Sequence, residues 1–312
     1  MKKGLWHRYS TLAYLAVLLG VVGHASSEFV AVLTQIKGPE LSVWRFLLGG
    51  LGLTGLALLF PSSRNLLEPF KTEGLRLVCL SALGVTIGYL LFHWSLDYAT
   101  VPQVATMVTT IPIFVGLANM YLNKQTFSRL KLITGICAML GVALLITDGY
   151  LAQLSGSGQS LIGVLMALGC AATVAAYSVA IRPVIAQFGA LRITAITMSM
   201  GAVGLWLVVG IVWQIWVNPF RLFDRPAGQL TALLTLAVWN TTITQFFWIG
   251  GLAAVPDITR GSYLFFFKPV IATLLAIIFL NQSITGWQTM AIGVICLSVL
   301  FEAVLALRKS SA

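Results

Sequence analysis

The sequence predicts an all-α integral membrane protein with ten transmembrane helices, arranged as two five-helix repeats of inverted topology. Three observations lead to this fold class: the composition, the number of long apolar segments and a likeness between the two halves. Of the 312 residues, 58% are hydrophobic and 9% are charged, whereas a soluble domain has about 25% charged residues. This composition excludes a soluble enzyme, a disordered chain and a coiled coil. Despite the net charge of +10, it also excludes a nucleic-acid partner.

Ten segments are apolar over the roughly 20 residues that a helix needs to cross a membrane. The first five are predicted at 9–33, 41–60, 75–96, 101–122 and 130–147, and the second five at 161–181, 193–217, 230–252, 258–280 and 284–305. They lack the alternation of strands, so a membrane barrel is not expected. The first segment has an alternative interpretation as a signal peptide, because Gly23-His24-Ala25 before Ser26 resembles a cleavage site. Its apolar stretch continues too far past that point to favour cleavage.

The basic residues predict the orientation, because cytoplasmic loops carry an excess of Lys and Arg. With the N-terminus in the cytoplasm, fourteen of the 19 basic residues fall in cytoplasmic segments. Lys37, Arg221 and Arg225 fall outside, and Arg45 and Lys268 fall within spans. We therefore expect a multi-pass protein of the inner cell membrane, surrounded by the lipid bilayer, with both termini in the cytoplasm.

An internal repeat divides the chain. The linker-like stretch 149–160 separates a first repeat, 1–148, from a second repeat, 161–312. Trp94 and Trp248 stand at the same distance before a proline, and Asn123 and Asn281 stand at the same distance before a glycine. Because each half has an odd number of spans, the second half enters the membrane from the opposite side. Inverted repeats of this kind are typical of secondary transporters, which expose one central site to each side in turn.

Short motifs along the chain carry a further likeness. They are Trp44-Arg45-Phe46-Leu47-Leu48, Pro112-Ile113-Phe114, Leu122-Asn123-Lys124 with Gly135 and Gly141, Pro269-Val270-Ile271-Ala272, and Gly293. In these motifs the chain resembles the drug/metabolite transporter superfamily, in its ten-helix EamA-type branch, over nearly its whole length. The resemblance implies transport of a small metabolite or drug, often export, without ATP. The chain departs from the family where Asn123-Lys124 and Asn281-Gln282 replace a frequent Gly-Glu.

Polar residues at membrane depth form the candidate site, because an ionisable group there is costly unless it is paired or hydrated. Lys268 lies near the middle of the ninth span, beside Pro269. We expect it to contact a substrate anion such as a carboxylate, and the capping of backbone carbonyls is the alternative. Glu28 and Arg45 lie at similar depth and can form an ion pair, although Glu28 could instead couple protons or bind a substrate amine. His24, one turn from Glu28, is predicted to pack between helices or to share in proton coupling.

The remaining candidates are aromatic and polar side chains on spans three, six, eight and nine. For each of them, helix packing or interhelical hydrogen bonding is the alternative to substrate contact. They are Tyr89, His93, Tyr177, Trp239, Asn240 and Tyr263.

Together these features predict a secondary transporter that exports a small-molecule substrate, an amino acid or a related amphipathic metabolite, by alternating access. Lys268 would hold a carboxylate, and Trp239, Tyr89 or Tyr263 an apolar ring. The alternatives are a multidrug or cationic-metabolite exporter, with Glu28 as its key charge, and a sugar-phosphate or nucleotide-sugar carrier. A membrane-embedded enzyme is disfavoured because the sequence has no His-Glu-x-x-His, Gly-x-Ser-x-Gly or Walker motif. No cofactor and no metal is expected.

Overall fold

The computed structural model describes residues 10–36, 38–151, 158–280 and 283–310, and all regular elements in these ranges are helical. In the first half they are α1 (Ser10–Leu33), α2 (Gly38–Leu59), α3 (Phe70–Ser81), α4 (Gly88–Ser95), α5 (Val101–Val108), α6 (Ile111–Asn123) and α7 (Arg129–Thr147). In the second half they are α8 (Gly158–Ala180), α9 (Arg182–Phe188), α10 (Ala190–Trp213), α11 (Ala227–Ala237), α12 (Thr244–Ala254), α13 (Ile258–Tyr263), α14 (Phe267–Leu280) and α15 (Gly286–Ser310). The all-α prediction is confirmed.

Within the described residues, 8 helices or runs of joined helices are long and apolar enough to cross a membrane. A further apolar helix, Gly286–Glu302, is shorter. The predicted span 258–280 is interrupted by a 3-10 turn at Leu264–Phe266, so neither of its helical pieces has the length of a full crossing. The multi-pass membrane class is therefore confirmed, and the number of ten helices remains a prediction.

Two long helical runs contain a π-helical segment. Ala82–Ile87 joins α3 to α4, and Val238–Ile243 joins α11 to α12. A π-helical segment shifts the register of side chains and frequently marks a functional site. In the second segment the hydroxyl of Thr242 donates to the carbonyl of Gly49 at 2.9 Å, so this polar stretch fastens the helix to α2.

Two proline-containing helices are interrupted near the middle of the bundle. Thr109 and Thr110 separate α5 from α6, and their hydroxyls donate to the carbonyls of Ala105 and Met107 at 2.6 Å each. A proline in the first turn of a helix costs little, because its missing N–H would lack a helical partner there. Pro112 occupies such a place in α6. The second interruption is the turn before α14, which begins just ahead of Lys268.

The halves pack closely against each other along several helices. α2 lies along α10, α7 along α15, α1 along α12, and α4 along α8. Close approach requires glycine at several of these contacts, for example at Gly20 and Gly84. A Cβ on Gly20 would lie 2.8 Å from the Cα of Trp248, and one on Gly84 would lie 2.2 Å from Cγ of Tyr177. The approach of α1 to α12 fixes the position of His24, one turn beyond Gly20.

Candidate functional site

A small chamber with a volume of about 40 Å³ lies between α1, α2, α4, α8, α12 and the interrupted helices. It brings together predicted site residues that are far apart in the sequence. Its polar lining is His24, Ser27, Arg45, Tyr89, Cys170 and Lys268, and its apolar lining is Phe92, Val108, Ile111, Val174, Trp248 and Phe265. Four predicted residues, His24, Arg45, Tyr89 and Lys268, therefore share one chamber.

Two cationic side chains in the chamber wall are almost completely buried. Arg45 is 3% exposed and Lys268 is 7% exposed. Arg45 donates from Nε to the Thr241 hydroxyl at 3.1 Å and from Nη2 to the Asn240 carbonyl at 3.0 Å. The ammonium of Lys268 lies 5.7 Å from the ring centroid of Phe265. These hydroxyl, carbonyl and aromatic partners each help to stabilise a buried positive charge.

His24 stands against two aromatic rings in the same chamber. Its ring meets Trp248 edge to face at a centroid distance of 5.7 Å, and Phe265 at 5.6 Å. The residue is 9% exposed. Its Nε2 has no hydrogen-bond partner within the described part of the chain. A polar atom that is buried without a partner is uncommon and requires an explanation.

Tyr89 connects the chamber to the core of the bundle. Its hydroxyl accepts a hydrogen bond from Nε2 of Gln245 at 2.5 Å. Its ring lies 4.2 Å from that of Phe46, between centroids. The tyrosine therefore holds α4, α2 and α12 together while one face of it remains in the chamber wall.

A larger vestibule of about 250 Å³ adjoins the chamber, and both are lined by Ser27, Arg45 and Phe92. The vestibule extends toward the turn between α1 and α2, at Gln35 and Ile36. Its remaining lining is mostly apolar. The chamber is thus reached from one end of the bundle, which we call the vestibule end.

His93 and Asp97 also line the vestibule. Nδ1 of His93 lies 2.6 Å from the Ser42 hydroxyl and 3.0 Å from the Tyr89 carbonyl oxygen, so the ring is held in place beside the opening. Burial raises the pKa of Asp97 above its ordinary value. This carboxyl group lies after the end of α4, where the vestibule opens.

Four predicted residues lie outside the lining of both cavities, and their polar side-chain atoms, apart from Oδ1 of Asn240, bond other helices. The hydroxyls of Tyr177 and Thr197 are 2.7 Å apart, and the hydroxyl of Tyr263 donates to the Lys131 carbonyl. The side-chain nitrogens of Trp239 and Asn240 lie 3.0 and 2.9 Å from the hydroxyl of Ser26. The alternative that we gave for these residues, interhelical hydrogen bonding, describes their observed contacts.

The predicted ion pair between Glu28 and Arg45 rests on a side chain outside the described residues. The backbone of Glu28 lies in α1, one position after the chamber residue Ser27. The pairing and the possible contact of Glu28 with a substrate amine therefore stay predictions.

Sequence reasoning missed a charged cluster at the opposite end of the bundle, which we call the closed end. Lys131 and Asp257 form an ion pair at 2.5 Å, and Nε of Arg260 lies 3.4 Å from the carboxylate of Glu302. Nε of Arg182 donates to the Ala253 carbonyl at 3.0 Å. Glu302 is 3% exposed and falls within the predicted span 284–305. The rule that identified Lys268 as a candidate would have identified it as well.

The charge of Lys131 controls the ionisation of Asp257. Burial alone would raise the pKa of this carboxyl group. The hydrogen bond and the positive charge of Lys131, with smaller contributions from Arg260, outweigh burial and lower the pKa below its ordinary value. Asp257 is therefore ionised at neutral pH. No group of three or more His, Cys, Asp or Glu residues in the described ranges is arranged to hold a metal ion.

Comparison with known proteins identifies the family. The EamA-like transporter family matches residues 11–147 and, a second time, residues 161–303. The chain belongs to the EamA-like transporter family. This result confirms the resemblance found in the sequence motifs, and it identifies the protein as a transporter.

Two relatives of this EamA-like protein are named as transporters. An "Uncharacterized transporter" of Clostridium kluyveri is 21% identical over 288 residues, which cover 91% of this chain and 88% of the relative. The "Uncharacterized transporter YvbV" of Bacillus subtilis is 26% identical over 276 residues, 88% of this chain and 84% of the relative. A solved crystal structure superposes with a TM-score of 0.79 at 17% identity and covers 96% of this chain and 98% of its own. At that identity it shows a shared fold alone.

Proposed function

We propose that this EamA-like protein is a secondary transporter that exports a small amphipathic solute bearing a carboxylate, such as an amino acid or a related metabolite. One observation carries the proposal: the buried side chains of Arg45 and Lys268 line the same chamber. A cation at membrane depth is costly and is retained mainly where it has a function. In a chamber wall, that function is the binding of an anion.

The sizes of the two cavities favour a solute with a small head and an apolar body. A chamber of about 40 Å³ has room for a few water molecules, since one water needs about 10–15 Å³ of such space. A carboxylate group is of this scale. The adjoining vestibule of about 250 Å³ has Leu41, Leu96 and Val104 in its wall, which suit an aliphatic or aromatic side chain. The solute would therefore bind with its carboxylate directed inward.

Alternating access through two inverted repeats is supported by several correspondences. The family matches each half once. Each half has a π-helical segment within a long helical run and a proline-containing helix that is interrupted beside the chamber. The packing of α1 on α12 has its counterpart in the packing of α8 on α4, with the halves exchanged. From these features and from the positions of the basic residues, we infer ten spans in the inner membrane, with both termini in the cytoplasm.

One observation favours a second candidate, an exporter of cationic metabolites or drugs. Asp97 lines the vestibule, and a carboxylate at the opening attracts positive charge. In that case Arg45 and Lys268 would be structural, and the solute would bind in the vestibule rather than in the chamber. The two candidates differ in the sign of the charge that the solute carries into the protein.

Counterflow in proteoliposomes distinguishes these candidates, because it requires no knowledge of the coupling ion. Vesicles containing the full chain would be loaded with one unlabelled compound and supplied with its labelled form. The panel would include leucine, phenylalanine, a lipophilic quaternary amine and a sugar phosphate. We expect exchange of the amino acids above that of protein-free vesicles. Exchange of the amine without exchange of any amino acid would overturn the proposal.

A further inference from the structure

His24 offers a chemical group that neither helix packing nor the described hydrogen bonds use. Its Nε2 is buried, lies in a residue that lines the chamber and has no partner within the described ranges. Leaving a buried donor or acceptor unsatisfied costs free energy. A ligand atom in the chamber would remove that cost.

The imidazole packs against two aromatic rings that restrict its rotation. Trp248 and Phe265 meet its ring at interplanar angles of 87° and 70°. One helical turn before His24, α12 packs directly against Gly20. A Cβ on Gly20 would lie 2.8 Å from the backbone of Trp248. Such packing provides the fixed orientation that a binding group needs.

The charged neighbours of His24 determine which ligand it would accept. Both Arg45 and Lys268 line the same chamber, and their positive charges act on the imidazole. A ligand amine would be repelled by these two cations, whereas a carboxylate would be attracted. A nitrogen that bears hydrogen can donate to one carboxylate oxygen while a cation approaches the other.

We propose that His24 donates from Nε2 to the substrate carboxylate and, together with Lys268, forms a subsite that selects carboxylates over amides of the same shape. This inference rests on the proposed function and adds a named specificity residue to it. An amide has an NH2 group where a carboxylate has its second oxygen. In a site made of one hydrogen-bond donor and one cation, that NH2 group would face another donor and would lack an acceptor. Selection against such an isostere is strong when buried polar groups are left unpaired.

Three variants of the full chain would test this subsite. His24→Phe keeps a ring between Trp248 and Phe265 and removes the donor. His24→Gln places an amide NH2 near the position of Nε2 and removes the ring. Lys124→Ala alters an exposed lysine and serves as the matched control. Thermal unfolding of each purified variant would establish that it is folded.

The measurement is binding of L-phenylalanine and of L-phenylalaninamide to each variant in detergent. We expect the native protein to prefer the acid and His24→Phe to lose at least tenfold in affinity for the acid with the amide unchanged. His24→Gln should lose less than His24→Phe, and Lys124→Ala should match the native protein. A native preference that survives His24→Phe would overturn the assignment of His24 alone. A native protein that does not prefer the acid would overturn the proposed function, and this subsite with it.

Discussion

The aspartates at the two ends of the bundle have different surroundings, and their pKa values are shifted in opposite directions. At the vestibule end, Asp97 lines an open cavity, forms no ion pair with a described residue, and has a pKa raised by burial. At the closed end, Asp257 meets Lys131 at 2.5 Å and has a lowered pKa. One end leaves a carboxyl group at an opening, and the other uses a carboxylate to join helices.

The ion pair at the closed end lies between the two halves of the chain. Lys131 lies in the first family match and Asp257 in the second, so their ion pair connects the two halves. Arg182, at the start of α9, donates to the Ala253 carbonyl near the end of α12. If the halves exchange conformations, the Lys131–Asp257 pair must separate when the closed end opens, whereas the Arg182–Ala253 contact lies within the second half. Ion pairs suit this purpose, because water that enters the opening hydrates both partners.

Reversing one charge of the Lys131–Asp257 pair should have the largest effect. Lys131→Asp places two carboxylates together, and we expect it to lower the free energy of unfolding by about 3 kcal/mol, because the repulsion between them adds to the loss of a partly buried pair. Adding Asp257→Lys to the same chain restores the attraction but removes the hydrogen bond that Asp257 accepts from the Arg260 N–H, so it should restore part of that loss. Thermal unfolding of the single and double variants in detergent would measure both effects. Failure of the double variant to recover would show that the pair does not hold the closed end.

A matched pair of glycine substitutions tests the packing that positions the chamber. Gly20→Ala should lower the free energy of unfolding by about 2 kcal/mol, since overpacking costs about 1–3 kcal/mol and the contact is with the backbone of Trp248. Gly293→Ala makes the same change in α15, where no atom lies within 4 Å of the new Cβ. It should be neutral or stabilising, by up to about 1 kcal/mol. Equal effects of the two changes in thermal unfolding would contradict the close packing of α1 on α12.

Removing the charge of each aspartate in turn should give effects of opposite sign, and these are the smallest we predict. The lowered native pKa of Asp257 means that its contribution is present above the unfolded pKa of about 4 and is lost as pH falls through the native pKa. Asp257→Asn should therefore cost about 1 kcal/mol at pH 7, and the difference from the native chain should shrink in acid.

Asp97 should behave in the reverse manner. Its raised native pKa favours the protonated form, so a cost develops as pH rises through that pKa. Asp97→Asn should be slightly stabilising at pH 7 and neutral in acid. Melting temperatures measured from about pH 2 to pH 8, a range that extends below the unfolded pKa of about 4, would compare the two variants. Parallel pH profiles would remove the contrast between the ends of the bundle.

The sequence correctly predicted an all-helical membrane protein and its family, because both depend on patterns that extend over the whole chain. Composition and apolar length identified a helical membrane protein, and the spaced motifs of both halves identified the EamA-like family. The same reasoning brought Lys268, Arg45, Tyr89 and His24 forward as candidates, and one chamber contains all four. A charged residue within an apolar span can be identified from the sequence alone, without knowing which residues surround it in the fold.

The remaining contacts depend on which helices meet, and a single sequence does not contain that information. Tyr177 and Tyr263 are tyrosines within predicted spans, as Tyr89 is. However, the hydroxyl of Tyr177 bonds Thr197, and the hydroxyl of Tyr263 donates to the Lys131 carbonyl. Trp248 and Phe265 belong to the apolar wall of the chamber. Nothing in the sequence distinguishes them from other buried aromatic residues. Their role becomes visible only when α1 and α12 are placed side by side.

Counterflow by Lys268 variants tests the central claim most directly. Proteoliposomes with the native chain, Lys268→Ala, Lys268→Arg or the exposed-residue control Lys124→Ala would exchange labelled phenylalanine against unlabelled phenylalanine. We predict that Lys268→Ala raises KM at least tenfold, that Lys268→Arg retains part of the exchange because the charge remains, and that Lys124→Ala equals the native chain. A Lys268→Ala variant that exchanges phenylalanine with the native KM would contradict a carboxylate site in the chamber.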